Sequence, residues 1–223
     1  MNRSEKDQSF PRIKIRIESL SDLVFGLALS IGSLELLAKT PQHPDDLAVS
    51  LSLFAFSFFI VISIWIGYTR IMTITPQETS GTVSLNLLLL FCVVLEPYLF
   101  FLLQTMPSDI SLPEWTSFAY ALDVGGMFLI LGAMIRLALS RKTSKEIQEL
   151  HPLLLQRFRL AMIFYTIIGG SYALSALPFF WVETPVGMLR FTFWYSSFAF
   201  VFLGVVFRRL EKHSALRPPG KQP

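Results

Sequence analysis

The sequence has little charge and almost no cysteine for its length. Only 16% of its 223 residues are charged and 52% are hydrophobic, whereas an ordinary soluble domain carries about 25% charge. A single cysteine, Cys92, excludes an intramolecular disulfide scaffold and a cysteine-based metal site. The net charge of +3 is too small to indicate a nucleic-acid-binding protein. These shortages together indicate an integral membrane protein.

The sequence also lacks the side chains that hydrolytic, redox or metal chemistry needs. It has three histidines, and all of them lie outside the long apolar stretches: His43, His151 and His213. It contains no Gly-rich phosphate loop and no HExxH or GxSxG motif. A serine nucleophile needs a neighbouring base, and the apolar stretches contain no histidine or lysine to serve as one. We therefore predict that the protein is not an enzyme and holds neither a metal nor a cofactor.

Six apolar stretches are long enough to cross a bilayer, which takes roughly 20 helical residues. They cover residues 19–38, 48–68, 85–103, 117–139, 160–180 and 187–207. The sequence thus predicts an all-α integral membrane protein with six transmembrane helices in one domain, residues 17–208. A basic arm, residues 1–16, precedes this domain, and a basic tail rich in Pro and Gly, residues 209–223, follows it and is expected to be disordered.

The basic residues are distributed unequally between the two sides of the membrane. With six spans, 17 of the 19 Lys and Arg residues fall on the side that holds both termini. Short cytoplasmic loops retain positive charge during insertion, so both termini are predicted to be cytoplasmic. The segment 140–159 between spans four and five is expected to extend as a helix on that side.

Four carboxyl groups lie inside predicted spans: Asp22 and Glu35 near the two ends of the first span, and Glu96 and Asp123 within the third and fourth. Each costs about 2.5 to 3.5 kcal/mol near the bilayer centre on insertion scales, so each needs a partner or a water-lined path. Glu96 and Asp123 fit either structural hydrogen-bonded groups or the protonatable sites of a proton- or cation-coupled transporter. Such carriers often contain broken helices, and Gly125–Gly126 and Gly169–Gly170 are candidate interruptions. A non-conducting membrane scaffold is a further alternative.

The first span differs from the others because it mixes polar and small residues with aliphatic ones. Leu27, Ile31 and Leu34 follow the i, i+4, i+7 spacing that places them on one helical face, with Ser30 beside them. Such a stripe is typical of a packed helix interface, and it also suits the lining of a pore.

The start of this helix carries the order Arg16, three residues, then Leu20, Ser21 and Asp22. This order resembles the RxxxFSD signature of the transmembrane-protein-175 family of potassium channels, with leucine at the aromatic position. Two further segments are similar to that family: the stretch NLLLLFCVVLEP at residues 86–97, and Trp65 in the second span.

The resemblance implies a potassium-permeable, leak-type channel in which four six-helix subunits form a homotetramer around a pore lined by the first helix. Leu27 matches the hydrophobic constriction, Ile31 and Leu34 lie one and two turns outward, and Ser30 matches a hydroxyl position that is usually threonine. Because serine is smaller than threonine and has a freer χ1 angle, we expect weaker discrimination of potassium from sodium. The implied partners are other copies of the chain, the bilayer of a prokaryotic plasma membrane and monovalent cations.

The resemblance also implies a structural network that holds the pore helix in place. Its members in this chain are Arg16, Ser21, Asp22 and Trp65. The family often places histidine just after this tryptophan, where the chain has Gly67 and Tyr68. We therefore expect the network to run instead through Tyr68 or Arg70.

Overall fold

Five long helices dominate the computed structural model, which describes residues 3–38, 43–75, 80–105, 112–141, 152–184 and 187–195. They are α1 (Arg3–Ala38), α2 (Pro44–Ile74), α3 (Ser80–Thr105), α4 (Leu112–Arg141) and α5 (Pro152–Ser175). Each contains a segment long and apolar enough to cross a membrane. The predicted all-α membrane fold is confirmed, and the first four predicted spans lie within α1 to α4.

Two predicted boundaries differ from the helices observed. The predicted arm, residues 1–16, is already helical from Arg3 onward as part of α1. The fifth predicted span, residues 160–180, belongs to a helix that begins at Pro152 and ends at Ser175. Pro178 explains the earlier end, because a proline disfavours helical geometry in the residue before it and cannot donate a helical hydrogen bond.

Among the described residues, those from Leu177 to Tyr195 belong to a second compact unit. It begins with a 3-10 helix, Pro178–Trp181, followed by the short antiparallel strands β1 (Glu183–Thr184) and β2 (Gly187–Met188). The sixth predicted span, residues 187–207, therefore begins in strand β2, and its helical residues among those described are 189–195. Within this unit the guanidinium of Arg190 is buried and lies 5.4 Å from the ring centroid of Trp181. The rest of that span, the predicted extension at 142–151 and the tail 209–223 lie outside the described residues.

Helix α4 is the central element of the first unit. It packs most extensively on α5 and α3, whereas α1 packs on α2 and α3. In α4, 67% of the most apolar window is buried, against 22% in α1 and α5. The fully buried side chains of α4 form the middle of the core: Tyr120, Ala121, Val124, Met127, Leu131 and Ile135. Helices α2, α3 and α5 pack on α4, and α1 packs on α2 and α3. These four helices leave much of their apolar surface exposed, as expected for helices that face lipid or other subunits.

Glycines allow α4 and α5 to approach closely. A Cβ atom built on Gly169 would lie 2.7 Å from the carbonyl oxygen of Gly125 and 2.9 Å from the amide nitrogen of Leu129. Small residues commonly allow this kind of backbone approach between membrane helices. The glycine pairs at 125–126 and 169–170 therefore serve packing, and both helices continue through them without interruption.

We expect Gly169→Ala to destabilise the protein, because its new methyl group would collide with the α4 backbone. Overpacking of this kind costs about 1–3 kcal/mol, and it is measurable as a lower unfolding temperature in detergent. The neighbouring variant Gly170→Ala is the matched control, since a Cβ atom there meets nothing within 4 Å. Equal unfolding temperatures for the two variants would contradict the close contact.

Candidate functional site

Helix α1 has one buried face and one exposed face. Ser21, Phe25, Ala28 and Gly32 recur at helical spacing and are buried on the side where α1 packs on α2 and α3. Leu27, Ile31 and Leu34 are 53%, 38% and 60% exposed. The structure therefore places the three predicted stripe residues on the face that the single chain leaves open.

The hydroxyl group of Ser21 joins three helices. Ser21 Oγ donates to the carbonyl oxygen of Ile17 one turn earlier, at 2.8 Å. It accepts from Tyr68 Oη on α2 at 2.8 Å and from Asn86 Nδ2 on α3 at 3.3 Å. Ser21, Tyr68 and Asn86 are all buried, so neither water nor lipid competes with these bonds. The start of the apolar part of α1 is thereby fixed to both of its neighbours.

The adjacent Asp22 makes a second link between α1 and α2. Trp65 Nε1 donates to Asp22 Oδ1 at 3.0 Å. The ring of Tyr68 also packs on Phe25, with 5.8 Å between the ring centroids. Arg16 is exposed and lies five residues before Ser21 in the same helix. Of the predicted network, the structure thus brings Ser21, Asp22 and Trp65 into one cluster, and Tyr68 is part of it.

Gly67 has a packing role that the sequence did not reveal. A Cβ atom at this position would lie 2.6 Å from the hydroxyl oxygen of Tyr165 on α5 and 3.1 Å from Leu131 Cδ1 on α4. The absence of a side chain at Gly67 therefore leaves room for Tyr165 to reach the α2 backbone. A histidine here, as the family resemblance suggested, would not fit the same packing.

Ser30 lies on the exposed face of α1 beside the aliphatic stripe. Its hydroxyl donates to the carbonyl oxygen of Gly26 at 2.8 Å. This bond uses the hydroxyl proton, and the oxygen keeps lone-pair capacity for a further ligand. Ser33, also exposed, donates to the carbonyl oxygen of Ser30 at 2.7 Å. The exposed face thus combines aliphatic side chains with two hydroxyl oxygens.

A second polar cluster surrounds the fully buried Glu96 on α3. Ser57 Oγ on α2 donates to both carboxylate oxygens, at 2.9 and 3.1 Å, and Tyr120 Oη on α4 donates to Oε1 at 3.1 Å. Pro97 follows within the same helix and removes one backbone donor there. The carboxyl group therefore connects α2, α3 and α4.

Beside Glu96, a cavity with room for about one water molecule separates parts of α1 and α2. Its lining on α1 consists of Ala28, Leu29 and Gly32. Glu96 and Ser57 contribute the polar atoms of the wall on the opposite side.

Asp123 on α4 has a different environment. It is 6% exposed, and its side chain lies next to that of Cys92 on α3. Its Oδ2 atom has no hydrogen-bond partner among the described residues. Glu96 and Asp123 thus belong to separate contacts, and the described residues contain no group of three or more His, Cys, Asp or Glu side chains arranged to hold a metal ion.

Sequence reasoning missed the hydroxyl partners of Glu96 and the role of Asn86. A carboxyl group inside a span requires partners, which is a signal that some hydroxyl groups must face it. The apolar spans contain many Ser, Thr and Tyr residues at suitable depths, however, so spacing alone does not select Ser57 and Tyr120. Asn86 appeared only as the first residue of a motif, whereas in the structure it is a buried donor to Ser21.

The family comparison matches the part of the chain that contains the cluster around Ser21 and Asp22. Residues 16–97, which include the α1–α2–α3 cluster, match the family model described as the endosomal/lysosomal potassium channel TMEM175. No curated protein sequence matches the chain.

Two solved structures share its fold. One is a lysosomal potassium-selective channel TMEM175 homolog from Chamaesiphon minutus, at 19% identity and a TM-score of 0.60, with 90% of this chain and 98% of that chain covered. The other is the T38A variant of the potassium channel MtTMEM175 in complex with a nanobody–MBP fusion, at 21% identity and a TM-score of 0.53. There the alignment covers 89% of this chain and 93% of the other.

We expect Tyr68→Phe to lower the free energy of unfolding by about 1 kcal/mol, because Ser21 loses a buried hydrogen bond while ring packing on Phe25 is kept. Thermal unfolding in detergent measures this loss. Tyr98→Phe is the control, since Tyr98 is 57% exposed on α3. If the two variants unfold at the same temperature, the Tyr68 hydroxyl does not stabilise the helix cluster.

Proposed function

We propose that this chain, whose residues 16–97 match the TMEM175 family model, is a member of that family and forms a potassium-permeable, leak-type channel with a pore lined by α1. The observation that carries this proposal is the exposed face of α1, where Leu27, Ser30, Ile31 and Leu34 lie opposite the buried face. The fold shared with two solved TMEM175 structures supports it.

The composition of this face distinguishes it from the lipid-facing surface of another helix. Between residues 87 and 98, all the exposed side chains of α3 are aliphatic or aromatic: Leu87, Leu88, Phe91, Val94 and Tyr98. The exposed face of α1 adds Ser30 and Ser33 to its aliphatic residues. Polar groups are less favourable against hydrocarbon than against water, and hydroxyl oxygens suit a face that meets water and cations.

Conduction through such a pore depends on aliphatic and hydroxyl rings acting together. A ring of Leu27 side chains provides a hydrophobic constriction, which opposes ion passage by dewetting. A neighbouring ring of Ser30 hydroxyl oxygens replaces part of the hydration shell of the ion. Ile31 and Leu34 continue the pathway outward. The conducted ion is potassium, and the function requires no cofactor.

A closed pore requires several copies of α1 because one helix borders only one side of a pathway. We propose a homotetramer with cyclic symmetry, in which each subunit presents the same face to the axis. The cluster of Ser21, Asp22 and Trp65 supports this arrangement because it fixes α1 on α2 and α3, which determines the direction of its exposed face.

We place the channel in the plasma membrane, as in the prokaryotic six-helix members that the chain resembles, with both termini cytoplasmic. The orientation rests on the 17 Lys and Arg residues that fall on one side of the six-span arrangement. Nucleic acid is not a partner in this proposal, since the basic residues are accounted for by membrane topology.

The alternative of a coupled carrier receives no specific support. Helices α4 and α5 continue through their glycine pairs, whereas carriers often bind substrate at helices broken near the membrane midplane. Glu96 is fully buried among hydroxyl groups of α2 and α4. The unbroken helices do not match the usual carrier site, and the hydrogen bonds of Glu96 fit a carboxyl group that holds helices together.

We expect Leu27→Ala to raise potassium efflux from loaded proteoliposomes several-fold, because a smaller side chain widens the constriction and lowers its dewetting barrier. Leu160→Ala on α5 is the matched control, since Leu160 is 57% exposed and Leu27 is 53% exposed. Wild-type flux is expected to favour potassium when the external cation is exchanged among potassium, sodium and cesium. Equal effects of the two variants would remove Leu27 from the ion pathway.

We expect Ser30→Thr to increase the preference for potassium over sodium, because the added methyl group narrows the hydroxyl ring and restricts χ1. The bond from Ser30 to the Gly26 carbonyl oxygen is also available to threonine in a helix. Reversal potentials under potassium and sodium gradients measure the change. An unchanged or reduced potassium preference would argue against a Ser30 ring in the selective part of the pore.

A further inference from the structure

The cavity next to Glu96 lies directly behind the proposed constriction. Its lining on α1 consists of Ala28, Leu29 and Gly32. These residues alternate along the helix with Leu27, Ser30 and Ile31, which the proposed pore uses. The cavity-lining and the pore-lining residues belong to the same turns of one helix. If the opposite wall of the cavity shifts and α1 follows it, the pore-lining side chains therefore move as well.

The wall opposite α1 is held by the carboxyl group of Glu96. Its two oxygens accept hydrogen bonds from Ser57 on α2, and Oε1 also accepts one from Tyr120 on α4. All three residues are buried. Hydrogen bonds of this kind inside a low-dielectric interior face no competition from water. They fix the relative positions of α2, α3 and α4 at this level.

Helix α1 contacts this wall through small side chains. A Cβ atom on Gly32 would meet nothing within 4 Å, so the helix has room to move toward α2. The hydrogen bonds described between α1 and its neighbours are made by Ser21 and Asp22, closer to the cytoplasmic end. Among the described residues, residues 27–32 of α1 make no hydrogen bond to α2 or α3, and this segment packs against the wall only through van der Waals contacts.

We propose that Glu96 is a positioning residue for the ion pathway. With Ser57 and Tyr120 it fixes the wall against which residues 27–32 of α1 rest, and it thereby sets the width of the constriction. The inference rests on the proposed pore function and adds a determinant that does not touch the ion. It also gives the buried carboxyl a role that depends on its geometry rather than on its charge.

The first test compares Glu96→Leu with Glu96→Gln in proteoliposomes or planar bilayers. Leucine removes the acceptor oxygens, so the permeability ratios of potassium to sodium and to cesium should change by about twofold or more as the constriction changes width. Glutamine keeps the length of the side chain and one acceptor oxygen, and should leave both ratios near the wild-type values. Asp123→Leu is the control, because Asp123 is the other buried carboxyl among the described residues and does not line the cavity.

The second test substitutes a residue of α1 that lines the same cavity. Gly32→Ala places a methyl group in the open space and breaks no side-chain hydrogen bond, so it should shift the permeability ratios without lowering the unfolding temperature. Gly126→Ala on α4, where a Cβ atom also meets nothing within 4 Å, controls for the general effect of the substitution. Should Glu96→Leu fail to fold, Gly32→Ala and Glu96→Gln still decide the question.

The outcomes separate this inference from the proposed function. Absence of potassium flux through correctly inserted wild-type protein overturns both. Wild-type flux with unchanged ratios in Glu96→Leu, or in Gly32→Ala, overturns the positioning role alone. If Glu96→Gln changes the permeability ratios as much as Glu96→Leu does, the charge of Glu96 matters rather than its position. If Asp123→Leu changes them equally, the effect does not depend on the cavity. Either result contradicts the proposal.

Discussion

The orientation of the first helix depends on one buried hydroxyl group. Ser21 Oγ accepts hydrogen bonds from α2 and α3 while donating to its own helix, so it uses its full bonding capacity within the protein. Inside a membrane no water replaces a lost partner, and rotation of α1 would break two interhelical bonds at once. The hydrogen bonds of Ser21 on the buried face therefore determine the direction of the exposed face that carries Leu27.

Polar groups in the other spans act in the same way at different depths. Glu96 joins α3 to Ser57 on α2 and Tyr120 on α4, and Asp123 contacts Cys92 between α4 and α3. Because each such group is costly in hydrocarbon without partners, its contacts select one packing of the helices over alternatives of similar apolar area. The glycine contacts between α4 and α5 add close backbone packing, which polar groups do not provide.

The proposed pore helix α1 has two regions that are held by its neighbours in different ways. Around Ser21 and Asp22 it is held by directional hydrogen bonds from Tyr68, Asn86 and Trp65. Further along the helix, Ala28 and Gly32 on the buried side lie beside a cavity. The helix is thus bonded to its neighbours at one level and borders open space at the level of the proposed constriction.

The sequence by itself determined the class of the protein, four of its spans within the observed helices and the stripe of Leu27, Ile31 and Leu34 on one face of α1, because apolar length and helical periodicity are local properties. It also indicated that Ser21, Asp22 and Trp65 act together, through a family resemblance. Only the tertiary structure decided which hydroxyl groups meet Glu96, why Gly67 has no side chain beside Tyr165 and how Asn86 reaches Ser21. These contacts join residues far apart in the chain, and they depend on the rotation and depth of each helix, which the periodicity of a single segment does not specify.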